Sequence, residues 1–376
     1  MKDYGFTTCG HVSAQYGYTT CGSMSGNILG TTERFDDATN VHIARADATP
    51  RSGIAGYSFN NYGFSSCGST TINVGTTERF DDSTNTHAGR ANATPRNILT
   101  GYSFNNYGFT TCGYTTINVG TTERFDDSTN THTGRANATA RQYLAGCSLN
   151  NYGFSTCGYT TGNSGITEKY DDAGASSQSI KASATARYGA VGYSFNNYGF
   201  SSCGNTTTDV GTTQRFDINA TSHTGRANAT ARRVLAGYAF NNYGFTSCGT
   251  NSGITERFDD TANSHTGRAN ATPRNTVAGY SLTETLVTPA NITATNMTIT
   301  PSETPCRVGI CTVTVNVTWT NNGGISGNFV PNITIDDTPI SPTYSSESLA
   351  AGANVSHSFV VSSLAVGTHP ICPYPN

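Results

Sequence analysis

Along most of this chain, short runs of alternating apolar and polar residues are broken by turn residues, and the order of runs and turns repeats. Residues 96–140 show one complete cycle. Gly101-Tyr-Ser-Phe104 and Tyr107-Gly-Phe-Thr-Thr-Cys112 flank Asn105-Asn106. Asparagine tolerates the positive φ of a two-residue hairpin turn, so this stretch predicts two paired strands. Thr121 to Phe125 reads as a third strand, Asp126-Asp-Ser-Thr-Asn130 as a turn cluster, and Thr131 to Ala136 as a fourth strand.

The cycle recurs at a fixed period. A Cys-Gly pair falls at Cys21, Cys67, Cys112, Cys157, Cys203 and Cys248, spaced 46, 45, 45, 46 and 45 residues apart. Glu33, Glu78, Glu123, Glu168, Gln214 and Glu256, each before Arg or Lys and then Phe or Tyr, keep the same register. Such a period marks a propeller, a solenoid or an array, and four antiparallel strands per unit select the propeller. Residues 16–50 supply strands two to four of a unit that lacks its first strand. Arg274 to Leu282 supply a first strand with nothing after it. Joined, they make one whole blade, so the expectation is an all-β, six-bladed propeller over residues 1–282, closed by a C-terminal first strand. Residues 1–15 hold a broken copy of the Tyr-Gly-Phe phrase.

From residue 283 the repeat stops. In Thr312-Val-Thr-Val-Asn-Val-Thr-Trp319 the valines and the single tryptophan share one face, as a half-buried antiparallel strand requires. Asn291 to Thr300, Asn332 to Ile335 and His357 to Ser362 read as further strands, giving a small immunoglobulin-like β-sandwich over 283–376.

The unit resembles the Kelch repeat. The residues that carry the likeness are an arginine at each unit start, a Gly-containing dipeptide ending strand two, and Glu-Arg-Phe/Tyr-Asp followed by Thr-Asn-Thr; together they cover about residues 11–282. The chain departs from that family in two ways. Cys-Gly replaces Gly-Gly, and His42, His87, His132, His223 and His265, with Ser177 in the fourth unit, stand where the family has tryptophan. Thr-Trp-Thr-Asn-Asn-Gly-Gly at 318–324 resembles the CARDB-like adhesion modules of microbial surface proteins.

Composition narrows the function. Charged residues make up 12% of the chain and the net charge is −3, so no basic footprint for nucleic acid exists. No run of eighteen apolar residues predicts a membrane helix. The first residues lack an apolar signal segment and open inside a repeat phrase. The start therefore reads as truncated or mis-assigned, with a natural cytosolic start as the alternative.

The six repeat cysteines radiate from an axis, too far apart for disulfides, and read as buried packing residues rather than metal or redox ligands; Cys147 should face Phe154 across its hairpin. Cys306-Arg-Val-Gly-Ile-Cys311 encloses a small loop and is the disulfide candidate, with Cys372 as a possible alternative partner. The histidines lie on outer strands, where symmetry spreads them, so packing or hydrogen bonding is expected and no metal. Arg51, Arg96, Arg141, Arg187, Arg232 and Arg274 should pair with the repeat glutamates. The Asp-Asp-Ser-Thr-Asn clusters read as turns and not as calcium loops. No nucleophile elbow, phosphate loop or zinc-protease motif occurs, and no converging Tyr/His set suggests the copper chemistry known among Kelch-like propellers; no enzyme and no cofactor is expected. Asn-x-Ser/Thr occurs at Asn92, Asn137, Asn205, Asn219, Asn228, Asn270, Asn291, Asn296, Asn316, Asn332 and Asn354, with proline after the Asn92 and Asn270 sites.

These features predict an extracellular or cell-surface recognition or adhesion protein that binds a protein or glycan, with self-association as a structural subunit the competing reading. In Kelch-like propellers the face built from the loops between strands four and one and between strands two and three meets ligands. Near-identical units leave specificity to the positions where they differ: Tyr114, Tyr143, Tyr159, Tyr188 and Arg233.

Overall fold

A computed structural model describes residues 16–282, 292–301, 312–322, 327–335, 338–339, 344–350, 352–361 and 371–375. The described residues contain strands and no helix, and they divide into two units, 1–284 and 285–376.

The first unit is built from six four-stranded antiparallel sheets in a propeller-like arrangement. Sheet I pairs β24 (Ala278–Leu282) with β1 (Tyr16–Met24), β2 (Asn27–Asp36) and β3 (Val41–Arg45). Sheet II runs β4 (Ala55–Phe59), β5 (Tyr62–Ser66), β6 (Thr77–Asp81), β7 (Thr86–Arg90); sheet III runs β8 (Thr100–Phe104), β9 (Tyr107–Thr111), β10 (Thr122–Asp126), β11 (Thr131–Arg135). Sheet IV follows with β12 (Ala145–Leu149), β13 (Tyr152–Thr156), β14 (Thr167–Asp171) and β15 (Ser177–Lys181). Sheet V holds β16 (Val191–Phe195), β17 (Tyr198–Ser202), β18 (Thr213–Phe216) and β19 (Thr224–Arg226). Sheet VI holds β20 (Ala236–Phe240), β21 (Tyr243–Ser247), β22 (Thr255–Asp259) and β23 (Ser264–Arg268).

The hairpin prediction follows from the turn residues: Asn105 and Asn106 have φ of 52° and 61°, and Phe104 pairs with Tyr107 across them. Strand two ends sharply at each Cys-Gly. Cys67 and Gly68 both take positive φ (62° and 114°), and the buried thiol reaches the Thr94 carbonyl at 3.6 Å. The seven described cysteines are buried and form no disulfide among the described residues, and Cys147 pairs with Phe154 as the register requires.

The first strands pack side by side around an axis, β24 against β4, β4 against β8, and so on to β20 against β24. Each contributes a glycine where the backbones meet; a Cβ on Gly192 would lie 2.2 Å from the Gly146 carbonyl oxygen. Just outside this contact, six backbone hydrogen bonds run head to tail. Ile98 N–H donates to Gly53 (2.7 Å), Tyr143 to Ile98 (3.1 Å), Gly189 to Tyr143 (2.8 Å), Val234 to Gly189 (2.9 Å), Thr276 to Val234 (2.7 Å) and Gly53 to Thr276 (3.2 Å). All six residues have positive φ.

Between sheets, aromatic side chains form the core: Tyr102, Phe104 and Phe109 of sheet III pack on Tyr170 of sheet IV. The unit-start arginines are fully buried. Arg96 donates to Glu123, to the Thr94 and Cys112 carbonyls and to the Thr110 hydroxyl, while Glu123 also accepts from Thr94. Arg187 makes the same set with Gln214 at 2.7 Å.

The second unit has a three-stranded sheet of β25 (Ile292–Pro301), β26 (Val313–Asn321) and β31 (Asn354–Val361). It also has a sheet of β28 (Pro331–Ile335), β29 (Thr338–Pro339) and β32 (Ile371–Pro375), and a pair of β27 (Gly327–Phe329) and β30 (Glu347–Leu349). Alternation on β26 buries Val315, Val317 and Trp319 completely, against Phe329, Ile333, Leu349 and Phe359.

The register corrects one sequence alignment. The loop after Tyr170 is one residue longer than its counterparts, so Ser177 pairs with Asp171 and Gln178 faces Tyr170. Gln178, not Ser177, therefore occupies the histidine position of sheet IV.

Candidate functional site

Most repeat side chains bind one sheet to the next. The outer-strand histidines pack on the phenylalanine of their own sheet, as His87 does on Phe80 at 4.7 Å between centroids. Their Nε2 reaches the neighbouring sheet: His87 to Thr32 at 3.2 Å, His132 to Thr77 at 3.1 Å, His223 to Thr167 at 3.0 Å, His265 to Thr213 at 3.3 Å, and His42 to Thr255 at 3.2 Å. Each imidazole thus sits in its own seam. Among the described residues, no three His, Cys, Asp or Glu side chains group to hold a metal ion.

Burial is the largest influence on all five imidazoles and holds each below the ordinary histidine value. For four of them the repeat glutamate pulls upward without prevailing. A base whose folded pKa is lowered takes up protons more readily when unfolded. Its contribution to stability is complete above the unfolded value of about 6.5 and is lost as pH falls through the folded value. Thermal melts should therefore show a falling Tm as pH drops below about 6.5; a Tm that stays flat down to about pH 5 would remove this role from the histidines.

The turn clusters serve the same seams. Asp81 accepts from the Ser83 amide and hydroxyl and shapes its turn, while Asp82 accepts from Arg34 and Arg45 of sheet I. Asn85 Oδ1 accepts the Ala46 amide, 2.9 Å away.

Four of the five residues singled out by their variability come together. Tyr143, Tyr159 and Tyr188 are half-buried, and Tyr188 packs edge-on against Tyr143 (5.6 Å) and Tyr159 (5.8 Å). The Arg233 guanidinium lies 5.7 Å from the Tyr188 ring centroid and donates to its hydroxyl at 3.3 Å. The cluster borders the axial mouth, where Tyr143 joins Ile98, Val234 and Thr276 above Leu99, Leu144 and Leu235. Burial and the neighbouring Tyr188 push the Tyr143 hydroxyl above its usual range.

Tyr114 stands apart. Its backbone bridges Asn97 and Asn118, and its carbonyl accepts from Asn73 at 3.1 Å. Sequence reasoning missed Asp209, which ties the cluster to its loops by accepting from Arg233 (3.3 Å), Asn205 (2.8 Å) and Thr250 (3.0 Å). The available signal was an aspartate where sheets II, III and IV have Asn73, Asn118 and Asn163. Ile72 and Ile117 are about 70% exposed at the tips of the corresponding loops of sheets II and III.

The glycan-acceptor candidates fall in different settings. Asn137, Asn219, Asn228, Asn296 and Asn354 are exposed, and Asn92 and Asn270 are also exposed. Asn316 is half-buried on the outward side of β26, and its Oδ1 accepts from Ser358. Asn205 is 6% exposed and its amide donates to Asp209, so a glycan there would have to open the loop. Asn291, Cys306, Cys311 and the side chains of Asn332 and Cys372 lie outside the described residues.

No helix of the described residues is long and apolar enough to cross a membrane. No family model matches the chain, and no curated protein is similar to it. Among solved structures, one described as "Structure of YjhT" superposes with a TM-score of 0.56 at 10% identity, covering 71% of this chain and 99% of that one. That likeness speaks for the fold alone: this chain has an all-β, propeller-like architecture.

Proposed function

We propose that the six sheets are the blades of a six-bladed Kelch-like propeller, followed by an immunoglobulin-like, CARDB-like sandwich, and that the protein is an extracellular or cell-surface recognition or adhesion protein. The propeller face around the axial mouth binds a glycan or protein ligand, with no reaction assigned. The observation that carries this reading is the contiguous Tyr143–Tyr159–Tyr188–Arg233 cluster, which breaks the symmetry of otherwise repeated loops. Half-buried tyrosines offer flat apolar area at low entropic cost, and an arginine beside them adds a charged anchor.

Glycan and peptide arrays probed with the full chain and with Tyr188→Ala test it. Tyr188 touches all three partners, so its loss is expected to weaken binding at least tenfold while the melting transition is kept. Undiminished binding by Tyr188→Ala would place the ligand elsewhere.

The structural-subunit reading draws on a different observation. The outermost strand of each sheet of the first unit pairs with no further strand among the described residues, and Val41, Ile43 and Ile180 are exposed on such strands. Concentration-dependent light scattering would favour assembly; a constant monomer mass would favour the binding module.

A further inference from the structure

Two charged residues without charged counterparts in the repeat meet in one place. Arg233 follows the unit-start arginine of sheet VI, where the other units have Ser52, Asn97, Gln142, Tyr188 and Asn275. Asp209 stands in the loop between strands two and three of sheet V, where sheets II, III and IV have asparagine. Those asparagines donate their amides to carbonyls of the next sheet's loop, as Asn118 does to Thr160 at 2.9 Å. A carboxylate cannot donate. Asp209 accepts instead, from Arg233 (3.3 Å), from the Asn205 amide (2.8 Å) and from the Thr250 hydroxyl (3.0 Å). The two charges thus stand as a pair, and together they are neutral.

The pair stays within reach of solvent, the Arg233 side chain being 38% exposed and that of Asp209 23%. Hydrogen-bonding capacity is left over on both sides of it. The Tyr188 hydroxyl accepts from Arg233 at 3.3 Å and keeps its own proton to donate. Asp209 Oδ2 accepts from Thr250, and a carboxylate oxygen has room for a second donor.

Donor and acceptor therefore lie side by side at the edge of an aromatic surface. The Tyr188 ring stands at 61° to Tyr143 and at 74° to Tyr159, so the three rings form a corner and not a flat platform. Backbone bonds fix that corner before any ligand arrives: Tyr143 lies in the axial ring, Tyr159 is bridged to Gln142, and Tyr188 to Asn205.

A sugar hydroxyl both donates and accepts, and a pyranose ring also has an apolar C–H face. A guanidinium beside a carboxylate meets two neighbouring hydroxyls, and a tyrosine ring meets the C–H face. An anion gains little here, because Arg233 is already compensated and Asp209 repels it. A corner of three rings suits one sugar ring better than an extended peptide.

The geometry points to a neutral hexose residue as the ligand of this mouth, its ring packed in the tyrosine corner and two adjacent hydroxyls bridging Asp209 and Arg233. Asp209 is then the residue that selects against acidic sugars. This ligand rests on the tyrosine cluster being the binding face, and it narrows the choice between glycan and protein to a neutral glycan.

Calorimetric titration of the full chain at low salt with oligosaccharides of D-glucose, D-galactose and D-mannose, and with the matched uronates, tests the assignment. At least one neutral sugar is expected to bind about tenfold more tightly than its uronate. Asp209→Asn places in sheet V the residue that sheets II to IV carry; it leaves Arg233 uncompensated and should raise uronate affinity about tenfold. Arg233→Gln, after Gln142 of sheet IV, removes the guanidinium and should weaken the neutral sugar about tenfold, which decides the matter if Asp209→Asn does not fold. Uronates that bind as tightly as neutral sugars, or a folded variant of either kind that binds as the unaltered chain does, overturn the assignment. If no neutral sugar binds while a peptide or other ligand is lost with Tyr188→Ala, the neutral hexose falls and the binding face stands. If no ligand of any class depends on Tyr188, the binding face falls and the hexose with it.

Discussion

A chain ending at residue 273 is expected to lose the cooperative unfolding transition of the first unit, while a chain ending at residue 284 keeps it. The nine residues Arg274–Leu282 bring several interactions at once. β24 pairs with β1 over five residues, packs against β4 and β20, and places Tyr280 on Tyr18 with 5.4 Å between ring centroids. Arg274 is the partner of the nearly buried Glu33, 2.9 Å away, and Thr276 completes the axial ring of hydrogen bonds. Without this strand, β1 becomes an open edge with unpaired backbone groups and a template for aggregation. The loss should be comparable to the whole stability of a domain, about 5–15 kcal/mol. Calorimetry and light scattering on the two truncations, purified in parallel, provide the test. Matching melts would show that ring closure by β24 is dispensable.

Glu123→Ala should destabilise the first unit by about 3–5 kcal/mol, because it strands the fully buried Arg96 guanidinium. Glu123→Gln should cost no more than about 1 kcal/mol, a neutral hydrogen-bond acceptor being sufficient. Sheet V supports the contrast, since Gln214 already holds Arg187 with the same partners. Burial pushes the Glu123 carboxyl upward, but the Arg96 charge and the hydrogen bonds from Arg96 and Thr94 outweigh it and hold the group below its usual value. Urea denaturation of both variants against the unaltered chain separates the two effects. Equal losses would mean that the negative charge itself, rather than a satisfied acceptor, is what the site requires.

Much of this architecture could be read from the chain because the repeat carries local signals. Asn105-Asn106 announces a hairpin, Cys-Gly announces the sharp exit from strand two, and the leftover strands at the two ends announce closure. The pairing of the unit-start arginines with the repeat glutamates was also legible, since both keep the same period. Counting failed where the period did: an extra residue in the loop after Tyr170 moved the histidine-equivalent position from Ser177 to Gln178. The seams could not be read at all. That Asp82 accepts from Arg34 and Arg45 depends on how sheets I and II meet, and nothing in the spacing of those residues states it. The tyrosine cluster was half legible. Variation among units marked its members, but their gathering around Tyr188, and the separation of Tyr114 from them, follows from the sheets' positions around the axis.

The closed ring of backbone hydrogen bonds at the axis has a consequence for how such a protein can diversify. Each of its six N–H groups and six carbonyls takes part in the ring, so what these positions offer to the mouth is side chains alone. The ring also accepts glycine, isoleucine, tyrosine, valine and threonine at equivalent places (Gly53, Ile98, Tyr143, Gly189, Val234 and Thr276). Backbone scaffold and side-chain identity are thereby uncoupled at these six sites. A library randomised there would change what the mouth presents while the surrounding sheets keep their register, which makes the ring a natural grafting point for new binding surfaces.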